Sequence, residues 1–145
     1  MTYEMTLKDA PFRLFKEGKK RIEVRLFDEK RQSLRPGDEI RFHHAETGET
    51  LTRYVVRLHR HPSFASLLEA FPPEAFGRET GDPLTVAELY AYYTPEEEKK
   101  WGVLGIETCE DEDVRAHMTE REAWDYTAGR VFEKYDGAFR ALAKL

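Results

Sequence analysis

Residues 18–25 read Gly-Lys-Lys-Arg-Ile-Glu-Val-Arg, which places an ammonium (Lys20), a carboxylate (Glu23) and a guanidinium (Arg25) close together. Arg25 offers a planar fork of donors suited to a phosphate or a base edge. Lys20 is a compact point charge, and Glu23 is an acceptor for amino groups. A carboxylate flanked by two cations stays ionised, and the group as a whole can hold an anion. Over Arg21–Phe27, Ile22, Val24 and Leu26 alternate with Arg21, Glu23 and Arg25, the period-two signature of a strand with one buried face and one charged face. Glu23 and Arg25 therefore point to the same side. Lys20 is out of phase, but it leaves the Gly18 turn, where irregular backbone can swing it onto that side. Spacing alone leaves two roles open: a solvated ion-pair ladder worth roughly 0–1 kcal/mol, or the floor of a cleft.

Other side chains invite weaker readings. His43, His44, His59 and His61 do not converge by spacing on the three or four ligands a zinc site needs, so neither a metal nor a cofactor is expected. Arg57, His59 and His61 share one strand face and can extend a basic rim for a phosphate backbone. Of Tyr90, Tyr92 and Tyr93, Tyr92 is the candidate to stack on a base, while Tyr90 and Tyr93 fit core packing at least as well. Cys109, the single cysteine, excludes an intramolecular disulfide and has no predicted neighbour to activate it.

The elements that must position these groups alternate between types. A first strand is expected at Met5–Leu7 and a helix over Asp9–Glu17, with Pro11 in its first turn and Gly18 as its cap. After Arg21–Phe27, the turn Arg35-Pro36-Gly37-Asp38 leads into a hairpin of Glu39–His44 and Leu51–His61. Helical spacing recurs over Ser63–Phe71 and Thr85–Tyr93. Thr94-Pro95-Glu96-Glu97 is a capping box opening another helix, and Gly102–Thr108 is an apolar closing strand. The pattern predicts an α+β domain built on a small mixed or antiparallel barrel. Beyond it, Glu110–Asp113 forms an acidic linker within 110–145. From about Thr119, Trp124, Ala128, Val131, Phe132, Tyr135, Phe139 and Leu142 keep to one face of an amphipathic helix. That stripe is expected to pack on its own domain, with a homodimer through the helix as the second expectation.

The whole chain has 145 residues, the size of one domain, and 12% aromatic residues, enough for a core without disulfides. Its net charge of −5 argues against a general nucleic-acid coat, but residues 1–62 carry +4 and residues 63–145 carry −9, so an anion-facing surface can be local. The first residues lack a signal-peptide pattern, and no apolar run approaches bilayer length. A cytoplasmic location and no membrane partner are the corresponding expectations.

Gly18-x-Lys20-x-x-Glu23-x-Arg25 matches the GxKxxExR signature of the ASCH domain family, in the PUA-like superfamily. Asp28-Glu29-Lys30-Arg31, Pro36-Gly37-Asp38-Glu39-Ile40, Ser63-Phe64 and Gly102-Val103-Leu104-Gly105-Ile106 resemble that family in the same order, over roughly residues 5–108. The resemblance implies a PUA-like β-barrel over 1–109 with peripheral helices, the C-terminal helix being an addition. It also implies a cleft floored by the motif, and RNA or a nucleoside or nucleotide as the partner. Arg57, His59 and Tyr92 are the further ligand-binding candidates. One branch of the family resembles amidohydrolases acting on N4-acetylcytidine, and another shows ribonuclease activity. Where the amidohydrolases carry a threonine nucleophile this chain has Glu23, and Glu79 is the nearest candidate for their downstream glutamate. Binding, a hydrolase using Lys20 and Glu23 as acid and base, and a non-catalytic protein-interaction module thus remain as three readings.

Overall fold

The computed structural model describes residues 1–130. Five strands, β1 (Thr2–Leu7), β2 (Ile22–Leu26), β3 (Glu39–His44), β4 (Thr50–His61) and β5 (Val103–Cys109), form one sheet in the order β1-β3-β4-β5-β2. β1 runs parallel to β3, and every other pairing is antiparallel. The sheet curls into a half-barrel, which leaves β1 and β2 as its two edges. Among the described residues, a single side chain spans the seam between them: Arg25 Nη2 on β2 donates to the Thr6 carbonyl on β1 at 2.9 Å. The α+β class and the barrel-like architecture expected from the sequence are both present.

Both faces of the sheet are covered. Phe12 and Phe15 of α1 (Asp9–Lys16) fill the concave side against Ile40, Phe42, Val55, Leu104 and Ile106. Ile22, Val24 and Leu26 pack outward against α2 (Phe64–Glu69), a 3-10 turn (Pro73–Phe76) and α3 (Val86–Leu89). Burying a side chain such as Phe or Leu contributes about 1.5–3 kcal/mol, so this outer layer holds β2 firmly although one of its edges is unpaired. Gly105, opposite Val24, has no side chain because Leu67 occupies the space; a Cβ there would meet Leu67 Cδ1 at 2.8 Å.

Element limits depart from the sequence expectation where local and tertiary effects compete. β1 begins at Thr2 because Glu39 N–H bonds the Met1 carbonyl and extends the parallel ladder. Ser63 caps α2, accepting from Ser66 N–H, and so stands outside the helix. Thr85–Tyr93 is helical only over Val86–Leu89. Pro95 disfavours helical backbone at Thr94, and Tyr93 turns back to stack on Phe64 with ring centres 5.6 Å apart. α4 (Pro95–Trp101) starts at the expected capping box, with Thr94 and Glu97 exchanging side-chain and backbone hydrogen bonds.

A fifth helix, α5, is described over residues 120–130. Thr119 and Glu122 cap it reciprocally, as their spacing predicts. Tyr126 lies against the Val56, Cys109 and Val114 cluster, and its hydroxyl reaches the Gly37 turn. Trp124 is 72% exposed. Val131, Phe132, Tyr135, Phe139 and Leu142, the remainder of the expected stripe, lie outside the described residues.

Candidate ligand cleft at the sheet seam

Lys20, Glu23 and Arg25 come together. Glu23 accepts from Lys20 Nζ on Oε1 at 2.9 Å and from Arg25 Nε on Oε2 at 2.9 Å. Lys20 and Glu23 are only 9% and 5% exposed, so the group is no solvated ladder. Two local features bring Lys20 into phase. Arg21 N–H is drawn to the Ala75 carbonyl, which breaks the strand before Ile22. Gly77, at φ +83°, then closes the 3-10 turn against the lysine stem, where a Cβ would stand 3.2 Å from Lys20 Cβ and 3.0 Å from Leu14 Cδ1. The ammonium lies 5.2 Å from the centre of the Phe15 ring, an added attraction for a desolvated cation.

Burial pushes the Glu23 carboxyl upward, but the charges of Lys20 and Arg25 outweigh it and hold the group below the usual glutamate range. The triad therefore consists of two cations and one anion. It forms the floor of a cavity of about 610 Å³ lying in the seam, with Leu14, Phe76 and Leu89 on its apolar walls and Tyr92 and Tyr93 at one side. The lining includes four basic side chains (Lys8, Lys20, Arg25, Arg78) and two carboxylates (Glu23, Glu88), so the site is locally basic in an acidic chain. Tyr92 is 60% exposed at the rim, with Lys8 Nζ 4.7 Å from its ring centre.

Three comparisons bear on this arrangement. The family model for the ASCH domain matches residues 5–134, a span that contains the whole triad. The chain belongs to the ASCH domain family. Among solved structures, this ASCH domain is similar to the crystal structure of hypothetical protein PH0355, with 38% identity and a TM-score of 0.63, covering 74% of this chain and 97% of that one. It is also similar to the solution structure of protein PF0455 from Pyrococcus furiosus, with 34% identity and a TM-score of 0.53, covering 74% and 96%. No curated protein matches.

Arg57 and His59 occupy a different part of the ASCH domain. A bulge between Val55 and Arg57 on β4 sets Arg57 opposite Glu107. There Arg57 binds Glu107 at 2.7 Å, Glu122 of α5 at 2.6 and 2.7 Å, and the His117 carbonyl at 2.9 Å. His59 shares Glu107 at 2.9 Å and packs edge-on to Phe71. His61 bonds Ser66. None of Arg57, His59 and His61 lines the seam cavity. Glu79 is exposed and outside its lining, whereas Glu88 lines it and is held by Arg78 at 2.6 Å. Sequence reasoning gave no place in the site to Thr6, Lys8, Phe15, Arg78 or Glu88. These come from β1, the N-cap and body of α1, the segment before α3 and α3 itself, and carry no spacing signal toward residue 20. Among the described residues, no group of His, Cys, Asp and Glu could hold a metal ion, and no helix is long and apolar enough to cross a membrane.

Proposed function

We propose that the seam cleft binds a nucleoside, a nucleotide or an unstacked base of single-stranded RNA, with Lys20, Glu23 and Arg25 as its polar floor. The observation that carries this reading is the triad itself: a buried Lys20–Glu23 pair joined by a mostly buried Arg25 at the base of an apolar cavity of about 610 Å³. Desolvating charges is expensive even when they are paired. A surface ion pair would contribute the same or more without it, so this burial is better explained by a ligand that uses the group. Apolar walls, an exposed tyrosine at the rim and an excess of basic side chains suit a flat base attached to a phosphate or sugar.

Binding is favoured over hydrolysis by two features. Glu23 is held ionised and doubly hydrogen-bonded, which makes it a poor base near neutral pH. The hydroxyls of the lining, on Thr6, Tyr92 and Tyr93, form no hydrogen bond with Glu23 or Lys20 among the described residues.

Fluorescence titration of short single-stranded RNAs and of free nucleosides tests the reading. Wild type should bind, with a log–log salt slope of about 0.7 per phosphate contact. Arg25→Lys, which keeps the charge and loses the fork, should bind at least several-fold more weakly. Equal binding by the two proteins, or none by wild type, would sink the proposal.

A further inference from the structure

The seam also exposes main chain, and its orientation follows from the ladder. In an antiparallel pair, residues alternate between those whose N–H and C=O both face the partner strand and those whose groups face away. Thr108 N–H bonds the Arg21 carbonyl at 2.7 Å and Phe27 N–H bonds the Gly102 carbonyl at 3.0 Å. With Glu23 paired to Ile106 and Arg25 to Leu104, Glu23 and Arg25 turn N–H and C=O toward β5, in phase with the Arg21 carbonyl and the Phe27 N–H. Val24, between them, therefore turns both its N–H and its C=O to the open edge. On β1, Met1 and Leu7 give their carbonyls to Glu39 and Ala45. The outward residue is then Thr6, whose carbonyl is indeed the one Arg25 reaches across the seam. Thr6 and Val24 both line the cavity, and neither Val24 main-chain group nor Thr6 N–H has a hydrogen-bond partner among the described residues.

We propose that the main chain of Val24 reads the edge of the bound base. Its N–H donates to a ring nitrogen or carbonyl oxygen, and its C=O accepts from the adjacent ring or exocyclic N–H. The occupant is thereby a planar heterocycle with a donor beside an acceptor on one edge. Uracil offers N3–H next to a carbonyl; cytosine and adenine offer an amino group next to a ring nitrogen. Recognition of this kind accepts several bases and rejects those whose edge is blocked. It is also rigid before binding, because Glu23 and Arg25 on either side are tied to β5 and Ile22, Val24 and Leu26 are packed against the outer layer. An extended peptide could add to the same edge, but the Arg25–Thr6 bridge crosses its path, and the cavity with Tyr92 and Tyr93 beside it suits one flat group.

This inference rests on the nucleoside-binding reading, and two measurements on the full chain separate them. First, uridine is compared with 3-methyluridine, in which the ring N–H is replaced by a methyl group. Wild type should bind uridine at least tenfold more tightly, since one net hydrogen bond is lost and a buried carbonyl is left unpaired. Second, Val24 is replaced by its α-hydroxy acid, so that an ester removes the N–H that no described residue uses. Uridine binding should weaken roughly fivefold to tenfold, while the thermal midpoint drops by only about 2–4 °C, the cost of turning the Glu23 carbonyl that faces β5 into a weaker ester acceptor. Equal affinity for the two nucleosides, or an ester variant that binds uridine as wild type does, overturns the main-chain role. If Arg25→Lys still weakens binding in that case, the nucleoside reading survives without it. Wild type that binds an acetylated extended peptide and no nucleoside overturns both.

Discussion

Two charged clusters on this sheet both pair arginine with glutamate and end in different conditions. At the seam, Lys20, Glu23 and Arg25 are sealed from water on the protein side and open to a cavity on the other. On β4, Arg57 is answered by Glu107, Glu122 and the His117 carbonyl, and Glu107 is shared with His59. Its partners come from β5, the 3-10 turn Val114–His117 and α5, so the cluster fastens the last described helix to the sheet. What separates a clamp from a site is how the charges are answered. Arg57, beside a second cavity of about 760 Å³, is tied to three other segments of the chain. The seam triad pairs with itself and the Thr6 carbonyl and faces its cavity.

The sharpest way to break the contrast is Glu23→Ala. It leaves Lys20 and Arg25 buried without their anion and should cost about 3–5 kcal/mol of stability in urea denaturation, along with ligand binding. A cost under about 1 kcal/mol would mean that the triad behaves as a surface pair. Arg57→Ala comes next. Several charge-assisted bonds are lost, but Arg57 is partly exposed, so about 2 kcal/mol is expected, with affinity at the seam unchanged. A matching loss of affinity would show that the two regions are coupled. Tyr92→Ala should have the reverse profile: stability unaltered, and RNA binding weaker by about 1–2 kcal/mol if a base stacks on it.

The smallest effect lies in acid. Glu23 is depressed in the folded state, so its stabilisation is complete above the ordinary glutamate pKa of 4.5 and is lost as pH falls through the depressed value. The stability gap between wild type and Glu23→Gln should therefore be constant above pH 5 and shrink below 4.5. At the clamp, hydrogen bonds from Arg57 and the Thr119 N–H lower Glu122 to about 2. Its contribution follows the same sign and should fade between pH 4.5 and about 2, read by NMR titration of the Glu122 carboxylate. A Glu122 that titrates near 4.5 would show the clamp to be open in solution.

Much of this frame was legible in the chain. Alternation over Arg21–Phe27 put Glu23 and Arg25 on one side; Thr94 with Glu97 and Thr119 with Glu122 announced helix starts; Arg35-Pro36-Gly37-Asp38 announced the hairpin. These are local effects of backbone geometry and capping, and local sequence determines them. Arg57 and His59 were legible as sharing a face, but nothing in their spacing could place Glu122, 65 residues away from Arg57, on top of that face.

The sequence by itself therefore determined which charges are neighbours and which elements carry them, because periods of 2 and 3.6 residues are built into strand and helix. Only the tertiary structure decided that β1 and β2 become the two edges of one curled sheet. Gly77 presses Lys20 into line, and Arg25 spans the seam to Thr6. Those outcomes depend on contacts between distant segments, and no local period encodes them.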